Sequence, residues 1–182
     1  MHRQSCIFLI GAMGAGKSAV GRTLARLLGY EFADTDHFIE RQSGVDISFI
    51  FEKEGESGFR AREQRALETL SLHKNIVIAT GGGCIKTPAN RDLMRDSGTV
   101  IYLQASVDQL YERVRCSSHR PLINTDNPKA VLAGIVHERV PVYEQIADLT
   151  IDTERRRVRA VAQDILRQLN ARSGQSEQHD SS

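Results

Sequence analysis

The chain has 182 residues, 40% of them apolar, a length that suits one domain with its own core rather than two. Its 24 basic and 23 acidic residues are spread along the chain and give a net charge of +1, which predicts neither a nucleic-acid nor a membrane partner. The cysteines lack C-x-x-C spacing, the histidines form no ligand cluster and no apolar run approaches a membrane span, so we expect a cytoplasmic protein without a structural metal.

The first predicted elements are a strand, a glycine-rich loop and a helix. The apolar run Cys6–Ile10 predicts the strand, and residues 11–18 match G-x-x-x-x-G-K-[ST] in full. In such a loop backbone N–H groups face phosphate oxygens, Lys17 supplies a mobile cation and Ser18 offers its hydroxyl to Mg²⁺. An ordinary glycine-rich turn is the alternative, which the flanking strand and helix disfavour. A secretory signal is disfavoured because the apolar run of about five residues is shorter than the roughly 7–15 required.

A second predicted strand, at 30–33, delivers two aspartates at its carboxyl end. Ligands of open α/β sheets bind at this end. If the strand persists, Asp34 and Asp36 point to the same side, toward the phosphate loop. One could then hold hydrated Mg²⁺ while the other accepts a proton from a substrate hydroxyl. A turn-forming or helix-capping role is the alternative for Asp34.

The rest of the chain alternates helices with strands. Further helices are predicted at about 46–55, 57–72, 88–96, 106–115, 127–143 and 158–169. Further strands are predicted at 75–79, 99–103 and 149–151. The pattern predicts an α/β fold with a five-stranded parallel sheet and helices on both faces. We interpret residues 1–172 as a single domain and the polar, aperiodic segment 173–182 as a disordered tail.

The segment at about 115–127 is polar and aperiodic. Roughly a dozen structureless residues inside a compact domain are often a lid or a binding loop, and a passive surface loop is the alternative. Arg120 lies in this segment, immediately before Pro121. Its guanidinium could neutralise charge on a transferring phosphoryl group, so the sequence predicts a mobile lid that carries an arginine.

Three further features bear on the acceptor of the phosphoryl group. A triple glycine at 81–83 follows a predicted strand and presents bare backbone to a small polar ligand. Arg60 lies in the first turn of its predicted helix, where the helix dipole disfavours a cation. This position suggests an anionic ligand, and an ion pair with Glu63 is the alternative. Arg139, taken alone, is expected to be a solvated surface arginine.

A phosphate loop by itself indicates NTP binding and leaves the acceptor open. A switch GTPase also needs D-x-x-G and N-K-x-D motifs. No Asp in the chain has a Gly three residues later, and no Asn is followed by Lys. The sequence therefore disfavours that class.

Together and in this order, the motifs strongly resemble the shikimate kinase family over about residues 5–170. The phosphate loop is shared with all P-loop kinases, whereas the remaining motifs are specific: D-x-D at 34–36, F-R at 59–60, the triple glycine, R-P-L at 120–122 and R-x-x-x-Y at 139–143. The resemblance implies a P-loop fold like that of nucleoside-monophosphate kinases, with a mobile lid. It also implies transfer of the γ-phosphoryl group of ATP to the 3-hydroxyl of shikimate, with Mg²⁺ as cofactor.

The resemblance assigns roles residue by residue. The expected catalytic residues are Lys17, Asp36 as the base, and Arg120. The expected ATP ligands are Gly14, Ala15, Gly16, Lys17, Ser18, Ala19, Arg113, which packs on adenine, and Arg120. The expected shikimate ligands are Asp36, Arg60, Gly81, Gly82, Gly83 and Arg139, and the metal is expected at Ser18 and, through water, at Asp34. Across the adenine, some family members have Pro where this chain has Val158.

Two other functions stay open at this point. Another kinase of small acids on the same scaffold, such as gluconate kinase, would also use arginines to bind a carboxylate. A regulatory module that binds ATP without transferring it would keep the phosphate loop. We expect the partners to be shikimate and ATP alone, and the protein to be a monomer.

Overall fold

The structure, a computed structural model, describes residues 6–115 and 126–179. Its strands are β1 Cys6–Ile10, β2 Glu31–Asp34, β3 Ile76–Ala79, β4 Gly98–Gln104 and β5 Leu149–Asp152. Its helices are α1 Lys17–Leu28, α2 Thr35–Ser43, α3 Ile47–Leu70, α4 Pro88–Ser97, α5 Val107–Arg115, α6 Pro128–Ile146 and α7 Val158–His179. Among the described residues, no helix is both long and apolar enough to cross a membrane.

The five strands form one parallel sheet in the order β2-β3-β1-β4-β5, which confirms the predicted α/β fold. The chain first runs from β1 to one side of the sheet and then crosses to the other side after β3. Parallel sheets bind ligands beyond the carboxyl ends of the strands at such a reversal. The phosphate loop, the aspartates and the triple glycine follow the adjacent strands β1, β2 and β3, so the fold gathers them at one edge.

Helices cover both faces of the sheet because alternate residues of each strand point to opposite sides. In β1, Ile7 and Leu9 pack on one face with α1 and α7. Phe8 and Ile10 pack on the other face with α3, α4 and the end of α6. Every residue of β1 is buried, as its continuous apolar run predicts for a central strand.

Two predicted boundaries near the site differ from the structure. The strand at 30–33 ends at Asp34, and Asp36 lies in the first turn of α2, so the premise that the strand continues through both aspartates is wrong. The helices predicted at 46–55 and 57–72 form one assigned helix, α3, interrupted at Gly55, which has a φ of 70°. A residue with this backbone conformation cannot continue an α-helix, so two helical segments meet there.

The last helix is longer than predicted. Its assigned helix continues to His179, which differs from the disordered tail expected from Ser173 onward. Each residue added to an existing helix gains a backbone hydrogen bond, and the segment from Ser173 to His179 contains no proline to stop it. Polar composition alone therefore did not locate the end of this helix.

Candidate active site

The loop between β1 and α1 has the backbone geometry of a phosphate cradle. Gly16 precedes α1 with a φ of 91° and provides no side-chain cap, so the first N–H groups of the helix stay oriented toward the loop. Gly11 has a φ of 145°, and a Cβ there would lie 2.7 Å from the carbonyl oxygen of Leu103. The Nζ of Lys17 donates hydrogen bonds to the carbonyl oxygens of Gly11 (2.7 Å) and Ala12 (2.9 Å). The side chain of Lys17 thus lies across the phosphate loop, where it is expected to bind phosphate.

Asp34 connects the phosphate loop with α2. Its Oδ2 accepts a hydrogen bond from the hydroxyl of Ser18. Its Oδ1 caps α2 by accepting from the backbone N–H of Asp36 (3.0 Å) and of His37 (3.3 Å). One side chain therefore caps α2 and also contacts the hydroxyl that is expected to bind Mg²⁺.

This pair of oxygens fits Mg²⁺. Mg²⁺ in kinases is held by phosphates, waters and one or two protein oxygens rather than by a full protein cage. A hydroxyl and a carboxylate in contact at the phosphate loop supply that minimum. In the ranges 6–115 and 126–179 there is no cluster of three or more His, Cys, Asp or Glu side chains that could hold a metal by itself.

Asp36 reaches the triple glycine even though it lies on a helix. A Cβ on Gly81 would lie 2.9 Å from Oδ1 of Asp36 and 2.7 Å from Oε1 of Glu63, so this glycine packs between two carboxyl groups. The N–H of Gly81 donates to the hydroxyl of Thr35 (3.0 Å). The structure therefore brings Asp36 to the glycine loop, while the N–H of Gly81 is already bonded inside the protein.

Arg60 forms the ion pair with Glu63 that was the alternative to a ligand role. Its Nη1 lies 2.7 Å from Oε2 of Glu63, and its Nη2 lies 3.4 Å from Oε1 of Glu56. The Arg60 side chain is 19% exposed and that of Glu63 is 0% exposed. Burial, with a smaller contribution from the charge of Asp36, raises the pKa of Glu63 to about 7 against the lowering effect of Arg60. The buried carboxyl group of Glu63 thus binds Nη1 of Arg60, while part of the Arg60 side chain remains exposed to solvent.

Arg139 is half-buried and belongs to the same site, so the expectation of a solvated surface arginine is wrong. Its Nη1 lies 3.5 Å from the position that a Cβ on Gly82 would occupy. Its Nε is buried with no hydrogen-bond partner among the described residues. Helix α6 places this side chain beside Gly82, at the edge of the sheet. The position of Arg139 in the sequence does not by itself reveal this contact.

The glycine loop touches the phosphate loop. A Cβ on Gly82 would lie 3.4 Å from the backbone nitrogen of Met13 and 3.5 Å from the carbonyl oxygen of Gly11. On its other side, a Cβ on Gly83 would lie 2.8 Å from the Cζ of Arg60. Gly83 leaves no space for a Cβ beside Arg60, whereas a Cβ on Gly82 would make ordinary contacts in the space between the two loops.

A cavity of about 240 Å³ opens beside the phosphate loop, on the side of β5. Its walls are formed by Ala15, Gly16, Val20, Arg113, Thr153, Arg156, Val158 and Val161. The guanidinium of Arg113 donates to the carbonyl oxygens of Gly14 (3.0 Å) and Thr153 (3.4 Å). The predicted adenine contacts, Arg113 and Val158, therefore line one cavity.

The predicted lid lies mostly outside the described residues, and so does Arg120. The described flanks agree with the predicted boundaries. Helix α5 ends at Arg115, and the side chain of Asn127 caps α6 by accepting from the N–H of Ala130 (3.1 Å).

Sequence reasoning gave no role to two buried residues of this site. Glu63 was considered only as an ion-pair partner, and Tyr143 only as part of a motif. Their spacing was a usable signal, since residues three or four apart on a helix share a face. Glu63 follows Arg60 by three residues, and Tyr143 follows Arg139 by four.

A phosphate loop, a hydroxyl and carboxylate suited to Mg²⁺, and an acceptor pocket with two arginines define a P-loop kinase of small acidic molecules. The family model for shikimate kinase matches residues 13–170. A shikimate kinase of Legionella pneumophila (strain Corby) is 48% identical over 163 residues, covering 90% of this chain and 93% of the relative. The chain belongs to the shikimate kinase family.

Comparison with solved structures agrees with this assignment. The shikimate kinase of Acinetobacter baumannii, solved in complex with shikimate, superposes with a TM-score of 0.89 at 44% identity, covering 93% of this chain and 94% of that one. A gluconokinase from Sinorhizobium meliloti gives a TM-score of 0.60 at 17% identity, covering 100% of both chains. The second comparison establishes a shared fold and no more.

Proposed function

We infer that the protein transfers the γ-phosphoryl group of ATP to the 3-hydroxyl of shikimate, giving 3-phosphoshikimate and ADP. Membership of the shikimate kinase family carries this conclusion. The acceptor pocket agrees with it chemically, because two guanidinium groups flank a bare glycine loop beside a carboxylate. Planar guanidinium groups bind a carboxylate through paired, charge-assisted hydrogen bonds.

In the donor half of the site, we assign the triphosphate to the loop that contains Gly14, Ala15, Gly16, Lys17, Ser18 and Ala19. Lys17 already spans this loop through its bonds to two carbonyl oxygens, and it would exchange them for phosphate oxygens when ATP binds. The cavity beside the loop suits the adenine, with Arg113 on one wall and Val158 on another.

In the acceptor half, we assign the substrate carboxylate to Arg60 and Arg139. Asp36 is the proposed base that orients the 3-hydroxyl and takes its proton, and its contact with Gly81 supports this position. The N–H groups of Gly82 and Gly83 are the proposed backbone donors. We leave the N–H of Gly81 out of this set because Thr35 accepts its hydrogen bond.

Mg²⁺ is the proposed cofactor, held by the hydroxyl of Ser18 and, through water, by Asp34. When bound, it supplies positive charge to the phosphoryl oxygens and orients them. The carboxylate of Asp34 already accepts from Ser18 and two backbone amides, so it is oriented before the metal arrives. The same contacts fix the start of α2 and hence the place of Asp36.

Arg120 and the lid at about 115–127 complete the proposal. Phosphoryl transfer has a loose transition state, so catalysis depends on position and charge, and an arginine that arrives with lid closure supplies both. Closure would also exclude water that could hydrolyse ATP.

A single domain at 1–172, a monomer and a cytoplasmic location are further proposals, which limited proteolysis, gel filtration and cell fractionation can test.

The decisive experiment measures ADP release by the purified protein with Mg-ATP and either shikimate or gluconate. We expect release with shikimate and much less with gluconate. Equal or greater release with gluconate would favour the gluconate kinase alternative. ATP binding without acceptor-dependent release would favour a non-catalytic module.

A further inference from the structure

The carbonyl groups of the glycine loop are all bonded to the protein. Those of Gly81 and Gly83 accept from backbone N–H groups three residues further along, at 3.0 Å each. The carbonyl of Gly82 instead accepts from the phenol hydroxyl of Tyr143, 61 residues away in the chain, at 2.6 Å. One side chain therefore holds the central peptide of the loop.

This bond determines where the next amide points. In a trans peptide the C=O and N–H groups lie on opposite sides. With its carbonyl held by Tyr143, the peptide between Gly82 and Gly83 must direct the N–H of Gly83 away from that hydroxyl. Glycine itself places little restraint on the peptide orientation. Without the bond to Tyr143, the direction of this N–H would be set only by the shorter-range turns on either side.

The same hydroxyl also contacts Arg139. The guanidinium lies near the phenol oxygen, and its charge lowers the pKa of Tyr143 against the larger, raising effect of burial. The buried Nε of Arg139 has no hydrogen-bond partner among the described residues. Since the two side chains are four residues apart on α6, they share one face of the helix. Tyr143 thus links the orientation of Arg139 to that of the glycine loop.

The ring of Tyr143 is firmly placed. It is 1% exposed and stacks on Tyr102, with ring centroids 5.0 Å apart and an interplanar angle of 20°. Burial raises the pKa of Tyr143 to about 12, so the phenol keeps its proton at neutral pH and can donate to Gly82. A buried, rigid donor of this kind can set the geometry of groups that touch it.

We propose that Tyr143 is a positioning residue for the acceptor: its hydroxyl orients the Gly83 N–H and the Arg139 guanidinium for substrate binding. The proposal rests on the proposed function, because it concerns the same acceptor site. Tyr143 does not touch the substrate and acts through the two groups that it holds.

The first test replaces Tyr143 with Phe, which keeps the stacked ring and removes the hydroxyl. Tyr102→Phe is the matched control, since it removes the same atom from the other ring of the stacked pair. We expect Tyr143→Phe to raise the KM and the calorimetric Kd for shikimate roughly tenfold, the scale for the net loss of about one hydrogen bond to the substrate. Its KM for ATP should stay within about twofold, and its kcat should fall less than shikimate affinity does. Tyr102→Phe should leave all these constants near those of the parent protein.

Two outcomes of this test would overturn the proposal. One is a folded Tyr143→Phe protein with unchanged shikimate affinity. The other is a parallel rise in the KM values for ATP and shikimate together with a lowered melting temperature, which would indicate a packing role alone. If the unaltered protein itself fails to bind shikimate, the proposed function fails, and this result is distinguishable because it requires no variant.

A second measurement on the unaltered protein avoids any folding defect. The protein is labelled with ¹⁵N at its glycine residues. Among the three glycines of the loop, shikimate should shift the amide signal of Gly83 strongly and that of Gly81 least, because Thr35 already accepts the Gly81 N–H. A Gly83 signal that does not respond to saturating shikimate would contradict the proposed orientation.

Discussion

Glu63→Gln tests the most unusual charge in the site, a carboxyl group that is 0% exposed and paired with Arg60 at 2.7 Å. Glutamine keeps the size and the oxygen that accepts from Arg60, and it removes the titration. Burial and the nearby Asp36 raise the pKa of Glu63 from 4.5 to about 7. Between these two values the folded protein holds a proton that the unfolded chain has already released.

The sign of the effect follows from this difference in bound protons. Stability falls with rising pH wherever the folded state binds more protons than the unfolded state. At about 1.4 kcal/mol per pH unit, the interval from 4.5 to about 7 corresponds to a loss on the order of 3 kcal/mol. The contribution of Glu63 is therefore fully present below pH 4.5 and lost as the pH rises through about 7.

Urea denaturation followed by circular dichroism, between about pH 5 and pH 8, measures this term. We expect the free energy of unfolding of the parent protein to fall across this range relative to that of Glu63→Gln, by on the order of 3 kcal/mol. Glu68→Gln makes the same chemical change at an exposed position of α3 and controls for it. Parallel pH profiles for the parent and Glu63→Gln would refute the reasoning, because they would mean that Glu63 has the same pKa in both states.

Three further predictions concern activity, measured as ADP release with shikimate and Mg-ATP. Asp36→Asn should lower kcat by about 10²–10⁴-fold with the fold retained by circular dichroism, as expected for loss of a base; near-normal turnover would remove Asp36 from that role. Arg139→Lys should raise the KM for shikimate about tenfold and leave that for ATP unchanged, because an ammonium cannot form the bidentate fork. Gly83→Ala should also raise the KM for shikimate, since its Cβ would lie 2.8 Å from the Cζ of Arg60 and displace that guanidinium. Unchanged shikimate KM in either variant would place its residue outside the acceptor pocket.

The phosphate loop was predictable from the sequence because its chemistry is contiguous. All the groups predicted to bind the phosphates lie within residues 11–19, and the adjacent apolar pattern predicts the strand before the loop and the helix after it. The five strands were predictable for a similar reason, since a buried parallel strand is a short apolar run between turn residues. Parallel order then followed from the alternation with helices.

For the acceptor pocket, the sequence predicted which residues take part but not how they reach the pocket. The predicted reason for Asp36 to face the phosphate loop, a continued strand, was wrong, and the residue reaches the pocket from the first turn of α2. Taken alone, without the motif resemblance, Arg139 was expected at the surface, because its helix face could not be known before α6 was placed on the sheet. The motif resemblance named both residues as candidates and gave no account of how they come together.

By itself, the sequence determined the class of fold, the nucleotide-binding loop and the family, because each is encoded in local spacing and composition. Only the tertiary structure decided that Glu63 is a buried acid, that the N–H of Gly81 is bonded to Thr35 and that Tyr143 holds the carbonyl of Gly82. The last two contacts join residues 46 and 61 positions apart. Burial and hydrogen-bond partners at such separations depend on how helices pack against the sheet, and no local pattern in the chain specifies that packing.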